Sequence, residues 1–278
     1  MIKIVADSGC DYSEELFEKN KVDFEIVPLT LQIGDKQYID NAGLDIAAYL
    51  KEMAKSKVQT KTAAPSPELY MEAFKGENPT FAITLTSELS GSFGSAVLAK
   101  QMYLDELGEK FIHVFDSLSA AAAPTVIALK IIECAKKKLT NPEIVETVSE
   151  FIKNMKTFFI LEKYDNLVKS GRVNPYIAKV VSVLNIRPIC MANNGKIAQS
   201  SQARGFNKAM AKLIEIMQKE KVDFENRILG ISHVQCLERA LEFKEQVKKV
   251  INFKDIFIVE ARGVCSTYGD QGGLIISY

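Results

Sequence analysis

Short apolar runs alternate with segments of helical periodicity in the first half of the chain. The runs IKIVA, FEIVPLTLQI, FAITLT and FIHVFD are rich in β-branched and aromatic residues, and they predict strands over 2–6, 24–33, 81–86 and 111–116. Apolar residues at helical spacing predict helices over 13–20, 46–55, 66–75, 92–108, 124–138 and 143–155. This alternation is typical of a largely parallel sheet covered by helices.

The second half has a different pattern. A strand is predicted over 157–163, and Asn193-Asn194-Gly195 separates two strand-like runs, as a hairpin turn does. Helices predicted over 206–219 and 236–249 alternate with the runs RILGISHV and DIFIVEA. We therefore expect an α/β protein with a mostly parallel N-terminal sheet and a C-terminal α+β domain that has an antiparallel component.

The change of pattern predicts a domain boundary near Asn154, with an N-terminal domain over 1–154 and a C-terminal domain over 155–278. No low-complexity linker separates the two halves. Domains that meet without a long linker leave a cleft, and clefts are favoured ligand sites. We expect the ligand between the halves.

Composition excludes several kinds of partner. Lys and Arg together number 35, as do Asp and Glu, so the chain has no basic excess for nucleic acid. The five cysteines are widely separated, which favours buried thiols in a reducing cytosol without a metal or other cofactor. No run of about 18 apolar residues is present, and MIKIVADSG starts as a strand rather than as a signal peptide. We expect a cytoplasmic protein without membrane insertion.

The stretch TSELSGSFGSA lies between a predicted strand and a predicted helix whose first turn is Ser90, Gly91 and Ser92. N–H groups at a helix start favour an anion, and the carboxyl end of a strand in an α/β sheet is a common ligand site. The simpler interpretation, Ser90 as a helix cap and Gly91 as a turn residue, explains the same residues. A P-loop is excluded because the turn has no lysine, and a nucleophile elbow because G-x-S-x-G is absent.

Polar residues also follow the other predicted strands. Thr62 precedes the rigid Pro65-Ser66-Pro67 segment, where its hydroxyl can face the same strand-end crevice or simply belong to a loop before a helix. The pairs Asp7-Ser8 and Asp116-Ser117 each come after a strand. We interpret both pairs as capping devices that organise the crevice rather than as reactive groups.

Three side chains in the second half complete the candidates. Arg172 follows a glycine, and Arg204 follows the predicted hairpin. Arginines in such loops bind anions or partners, although most exposed arginines do neither. Tyr268 lies among C-terminal glycines that allow a tight turn near a ligand, or that form a final hairpin.

Taken in order, these motifs resemble the DegV family of bacterial fatty-acid-binding proteins. VADSGCDYSEEL matches a start of the form T-D-S…D, KTAAPSP matches T-S-Q-P-S-P, and TSELSGSFGSA matches S-S-x-L-S-G-T-Y-x-x-A. VFDSLSA, LVKSGRV, RPICMANNGKI and STYGDQGGL match the later V-x-D-S, L-x-x-G-G-R-I, K-P-I-L…G-K-I and C-terminal glycine motifs. The resemblance spans nearly the whole chain.

The resemblance implies that two α/β domains enclose one long-chain fatty acid, whose carboxylate is presented to an ATP-dependent fatty acid kinase for acyl phosphate formation. The protein is then a lipid carrier rather than an enzyme. On this basis Thr62 and Ser90 supply hydroxyls to the carboxylate, Gly91 allows close backbone approach, and Arg204 lies near the head group. Arg172 is expected nearer the surface, where the kinase docks.

The chain departs from the family pattern at the carboxylate site. Ala63 and Ala64 replace a polar pair, and Tyr268 stands where many members have a histidine. Tyrosine can still donate a hydrogen bond to the carboxylate, but it does not titrate near neutrality as histidine does. We expect a site that binds an acid but differs in chain preference or in handover to the kinase.

Two other functions remain open at this stage. The first is a serine hydrolase or acyltransferase that uses Ser90 with His233 or Tyr268 as helper. His113 is excluded as a helper because it lies inside an apolar run, where a core histidine is the commoner explanation. The second is a sensor or carrier of a phosphorylated metabolite at the same helix start.

Overall fold

The structure is a computed structural model, and it describes residues 1–175 and 185–278. The first elements in chain order are β1 (Lys3–Asp7), α1 (Glu14–Glu18), β2 (Asp23–Val27), β3 (Thr30–Ile33), β4 (Lys36–Ile39), α2 (Ile46–Lys55), β5 (Thr60–Ala63), α3 (Pro67–Ala73), β6 (Thr80–Thr84), α4 (Ser92–Leu107), β7 (Ile112–Asp116), α5 (Ala122–Lys136) and α6 (Asn141–Asn154). They continue with β8 (Thr157–Ile160), α7 (Asp165–Lys169), β9 (Ile186–Asn193), β10 (Lys196–Arg204), α8 (Phe206–Lys219), a short 3-10 helix (Phe224–Asn226), β11 (Ile228–His233), α9 (Leu237–Lys248), β12 (Asp255–Glu260), α10 (Gly263–Gly269) and β13 (Leu274–Ser277).

The N-terminal sheet is parallel, as the alternating pattern predicts. Its strand order is β2-β1-β6-β7, and all three pairings are parallel. Every residue of β1 and β6 is buried, because helices cover both faces of such a sheet. Ile4 packs toward α5 and α6, whereas its neighbour Val5 packs toward α3 and α4. The carboxyl ends of β1, β6 and β7 therefore meet at one edge, where their polar loops gather.

The C-terminal sheet has six strands in the order β10-β9-β8-β13-β11-β12. Only β11 and β12 pair in parallel, so the sheet is mixed and mainly antiparallel, as predicted. Phe158 and Ile160 point toward α8 and α9 on one face, and Phe159 and Leu161 belong to a separate apolar cluster on the other. The hairpin predicted at Asn193-Asn194-Gly195 joins β9 to β10. The domain boundary near Asn154, which separates α6 from β8, stays a prediction.

A third sheet, β4-β3-β5, is antiparallel and was not predicted. The single strand expected over 24–33 is wrong: β2 ends at Val27, and β3 begins at Thr30 in a different sheet. Pro28 separates the two strands and has no N–H for a ladder hydrogen bond. Thr62 consequently lies on the strand β5 rather than in a loop.

The C-terminal glycine segment also differs from expectation. Residues Gly263–Gly269 form the helix α10, so Tyr268 lies on a helix and not in a tight turn. The final strand β13 does not form a local hairpin, because it inserts between β8 and β11 in the middle of the mixed sheet. Among the helices of residues 1–175 and 185–278, none has the length and apolar character that crossing a bilayer requires.

Candidate functional site

A cavity of about 870 Å³, with its open mouth included, lies where the β6–α4 loop, the third sheet, β8, α10 and the β9–β10 hairpin meet. Much of its wall is apolar and includes Leu29, Leu85, Phe159, Leu161, Leu167 and Ile275. The wall takes residues from both sides of Asn154, as expected for a ligand held between the two halves. Its charged residues, within the described part of the chain, are the cations Arg172 and Lys196. An anionic ligand with an apolar body fits such a wall.

Four predicted residues meet in this wall: Thr62, Ser90, Arg172 and Tyr268. The Thr62 Oγ1 and the Tyr268 hydroxyl form a 2.8 Å hydrogen bond between β5 and α10. The Arg172 guanidinium lies 5.6 Å from the centre of the Tyr268 ring, and its Nε donates to the Leu89 carbonyl at 3.2 Å. All four are half-buried, whereas most of the apolar wall is buried. The polar groups therefore mark the outer end of the cavity.

The loop before α4 presents Ser90 to the cavity. The backbone N–H of Ser90 donates to the Thr86 carbonyl at 3.2 Å, and the Ser90 Oγ accepts from the Ser92 N–H at 3.2 Å. The helix begins at Ser92, with Gly91 as its N-cap. Gly91 is exposed and lies outside the cavity wall, and a Cβ there would meet only Ala64 Cβ at 3.9 Å. A side chain would therefore fit at 91, and the close approach of a ligand to the Gly91 backbone stays a prediction.

The structure does not bring Arg204 to the cavity. The strand β10 starts at the cavity with Lys196 and Ile197 and ends at the exposed Arg204. Because a strand rises about 3.3 Å per residue, Arg204 lies about 26 Å along β10 from Lys196. The β10 cation that lines the cavity is Lys196, which lies 3.5 Å from the Glu88 carboxylate. Arg204 therefore lies outside the cavity wall, to which the opposite end of its strand belongs.

The two Asp-Ser pairs organise the strand-end loops, and their predicted capping role is confirmed. Asp7 accepts from the N–H groups of Leu85 and Gly9 at 2.9 and 3.0 Å and from the Ser92 hydroxyl. Burial raises the pKa of Asp7 to about 6, although these hydrogen bonds oppose the shift. Asp116 accepts from the N–H of Ser87 at 3.2 Å and from that of Leu118 at 3.0 Å. Asp7 thus fixes both ends of the loop that carries Ser90.

Two further aspartates, which sequence reasoning missed, position α10 and its Tyr268. The Asp40 carboxylate accepts from the N–H groups of Gly263 and Val264, both at 2.8 Å, and Asp11 accepts from the Arg262 N–H at 2.7 Å. Burial raises the pKa of both carboxyls, that of Asp11 to about 7. The partners are more than 200 residues away in sequence, so no local pattern reveals these contacts.

The β9–β10 hairpin closes one side of the cavity by packing on the β6–α4 loop. The Thr86 hydroxyl donates to the Gly195 carbonyl at 3.2 Å. Gly195 has a φ of 81°, and a Cβ at this position would overlap Thr86 Oγ1. Glycine is thus required both by the backbone conformation and by the close approach.

We expect Gly195→Ala to lower the free energy of unfolding by about 2–3 kcal/mol, because a left-handed alanine and a steric overlap both cost energy. Urea denaturation measures this loss. The matched control is Gly34→Ala in the β3–β4 turn, where φ is 59° and no atom lies within 4 Å of the added Cβ. Its loss should be only about 1 kcal/mol. Equal losses in the two variants would show that the hairpin does not pack on Thr86.

The described part of the cavity wall offers Ser90 no histidine or carboxylate as a base. His233 ends β11, where burial lowers its pKa and its Nδ1 accepts from the Cys236 N–H at 3.3 Å. His113 packs edge-on against Phe115, with ring centres 4.4 Å apart. Neither histidine is therefore placed to act as a base for Ser90. Tyr268, the other candidate helper, does line the wall, where its hydroxyl pairs with Thr62.

Thr86, Ser119 and Thr157 also line the wall. Ser119 and Thr157 were missed because they lie on separate elements.

Comparisons with known proteins agree on one family over the whole chain. The profile described as "Uncharacterised protein, DegV family" matches residues 1–278. A DegV domain-containing protein of Streptococcus gordonii is 36% identical over 277 residues, which cover 99% of this chain and 98% of that protein.

Two solved structures are similar over essentially the whole chain. A DegV family protein from Ruminococcus gnavus, determined with vaccenic acid, has a TM-score of 0.94 and 39% identity, and the match covers 100% of this chain and 99% of that one. The Streptococcus pneumoniae Fatty Acid Kinase (Fak) B3 protein, loaded with linoleic acid, has a TM-score of 0.91 and 34% identity with the same coverage.

Proposed function

Because the chain belongs to the DegV family, we propose that it binds one long-chain fatty acid in the cavity and presents the carboxylate to an ATP-dependent fatty acid kinase. The observation that carries the proposal is the distribution of polarity in the wall, where Thr62, Ser90, Tyr268 and the cations lie at the more exposed end of a largely apolar cavity. The buried hydroxyls of Thr86, Ser119 and Thr157 already have partners within the protein. The fatty acids in the two similar solved structures support the same ligand class.

In this proposal the carboxylate lies among Thr62, Ser90 and Tyr268. A charge beside apolar walls is costly unless several hydrogen bonds and an opposite charge compensate it. Hydroxyl groups from three elements supply donors, and the Arg172 guanidinium is close enough to the Tyr268 ring to supply positive charge. The acyl chain then lies along Leu85, Phe159 and the other apolar residues of the wall.

Presentation to a kinase requires an accessible carboxylate. The half-buried state of the polar end meets this requirement, since a partner can reach the carboxylate while the acyl chain stays covered. Arg172 lies at this end and not on a separate surface, so we assign it both to the carboxylate environment and to the docking surface. The protein itself acts as the carrier, and its two proposed domains, 1–154 and 155–278, both contribute to the wall.

Organic extraction of the purified protein followed by mass spectrometry tests ligand binding. We expect a long-chain fatty acid at close to one equivalent, or saturable uptake of added fatty acid by the delipidated protein. Loaded protein mixed with a bacterial fatty acid kinase and ATP should then give acyl phosphate, and the protein alone should give none. Absence of any fatty acid binding would refute the proposal, and ester hydrolysis abolished by Ser90→Ala would favour the hydrolase instead.

We expect Tyr268→Phe to weaken fatty acid binding about tenfold, because it removes one hydrogen bond to a charged group. Competition with a fluorescent fatty acid measures the change. Tyr103→Phe, at a buried α4 tyrosine outside the cavity wall, is the control and should leave affinity unchanged. Tyr268→His should bind more tightly at pH 5.5 than at pH 8, since histidine titrates at about pH 6.5. If the Phe variant bound the fatty acid with wild-type affinity, the Tyr268 hydroxyl would not be a hydrogen-bond donor to the carboxylate.

A further inference from the structure

A second cavity, of about 880 Å³ with its open mouth included, lies away from the site described above. It is formed by α5, α6, the residue before β8, and the segment between α8 and β11. No residue is shared with the wall of the fatty-acid cavity. We call it the basic cavity, and it is lined by Lys130, Phe151, Asn154, Lys156, Glu220, Lys221, Val222, Asp223, Asn226 and Arg227.

Cations outnumber carboxylates in this wall, although the whole chain has no net charge. Glu220 lies 3.7 Å from the Lys156 Nζ, which leaves Lys130, Lys221 and Arg227 in the wall against the single charge of Asp223. Lys221 is exposed at the rim and has no ion pair within the described residues. The wall therefore keeps an excess of positive charge.

The surroundings of Lys130 add to this excess. Lys130, Lys137 and Lys254 all approach the single carboxylate of Glu133, at 3.2, 2.7 and 3.4 Å. Burial would raise the pKa of Glu133, but the three lysines hold it at about 2. One carboxylate cannot neutralise three ammonium groups, so the positive potential extends to the mouth of the basic cavity.

Arg227 supplies a guanidinium of fixed position. The half-buried residue lines the basic cavity, and its guanidinium lies over the Phe151 ring, 4.6 Å from the ring centre. A guanidinium fits the paired oxygens of a phosphate group. Stacking on Phe151 holds the guanidinium in one orientation, which reduces the entropy lost when an anion binds.

From this geometry we infer that the basic cavity is a second ligand site, which takes the phosphate group of a phosphorylated ligand. The Arg227 guanidinium and Lys221 at the rim would hold the phosphate oxygens, and Phe151 would form the floor. The inference stands on residues separate from the fatty-acid cavity and does not depend on the proposed function.

Calorimetric titration of the full chain with sodium pyrophosphate at low salt tests the site. We expect saturable binding near one equivalent, weakened about tenfold by Arg227→Met and severalfold by Lys221→Ala. Arg227→Lys should restore part of the affinity, because it keeps the charge but loses the fork of donors. Lys212→Ala on α8, at a half-buried lysine outside the basic cavity, removes one positive charge elsewhere and should bind as the wild type does.

A parallel titration with vesicles of phosphatidylglycerol distinguishes the two sources of a phosphate group. Binding of pyrophosphate but not of vesicles assigns the site to a soluble phosphorylated compound, and vesicle binding that Arg227→Met abolishes assigns it to a lipid head group. Failure of both probes to bind overturns the inference, as does equal weakening by Lys212→Ala and Lys221→Ala. Because Lys221 is exposed, its substitution tests the site even if the Arg227 variants unfold.

Discussion

The double variant Thr62→Val, Ser90→Ala is expected to bind a long-chain fatty acid about 100-fold more weakly than the wild type. Each substitution removes one hydroxyl donor from the half-buried end of the cavity. A hydrogen bond to a charged group contributes about 1.5–3 kcal/mol, so each loss costs at least about tenfold in affinity. The measurement is competition with a fluorescent fatty acid, with the delipidated protein as starting material.

Two comparisons separate loss of carboxylate binding from general damage. Thr30→Val, Ser87→Ala makes the same chemical changes on the same sheet and the same loop, but at positions outside the cavity wall. This control should keep wild-type affinity. A long-chain alcohol, which lacks the carboxylate, should bind the Thr62/Ser90 variant nearly as well as it binds the wild type. If the variant lost the alcohol and the acid equally, the two hydroxyls would not be the carboxylate site.

The sequence predicted the elements whose stability is local. The helices α2 and α8 begin and end where their apolar periodicity does, at Ile46–Lys55 and Phe206–Lys219. The parallel order of β1, β6 and β7 followed from strand-helix alternation, because a parallel crossover needs a helix. The loops after β6 and β7 were predicted to line the ligand crevice because they follow the carboxyl ends of parallel strands, where ligands commonly bind.

What the sequence did not predict depends on contacts between distant segments. The third sheet consists of strands of only four residues each, too short for a periodic pattern, and β3 is paired with β5 about 30 residues further along the chain. The prediction that Arg204 lies near the head group depended on which end of β10 faces the cavity. Only the geometry of the hairpin shows that this is the Lys196 end. Asp11 and Asp40 were missed for the same reason, because the N–H groups that they bind belong to the distant start of α10.

Two buried aspartates with raised pKa values should respond differently to substitution by asparagine. Burial raises the pKa of Asp7 to about 6 and that of Asp11 to about 7, from 3.8. Between pH 4 and the raised value, the folded state holds more protons than the unfolded state, so stability falls as pH rises. At 1.36 kcal/mol per pKa unit, the loss by pH 8 is about 3 kcal/mol for Asp7 and about 4 kcal/mol for Asp11.

Asp11→Asn should remove the part of this pH-dependent loss of stability that is due to Asp11. One oxygen, Oδ1, accepts from the Arg262 N–H, an interaction that the asparagine carbonyl keeps, whereas Oδ2 is buried without a partner among the described residues. The neutral amide resembles the protonated acid, so the variant should match the wild type near pH 4.5. At pH 8 it should be more stable by about 2–4 kcal/mol. Urea unfolding at the two pH values measures the difference.

Asp7→Asn should instead destabilise the protein by about 2–4 kcal/mol near pH 4.5. At pH 8 the wild type has itself lost about 3 kcal/mol through ionisation of Asp7, so the difference between the two proteins should nearly vanish. N–H donors from Gly9 and Leu85 and the Ser92 hydroxyl converge on the two carboxylate oxygens, so one amide N–H of asparagine must face another donor. The loop that carries Ser90 loses an anchor, and fatty acid affinity should fall with stability. An Asp7 variant as stable as the wild type at pH 4.5 would show that these donors do not depend on the carboxyl group. A pH-independent loss in the Asp11 variant would show that Asp11 is already ionised near pH 4.5.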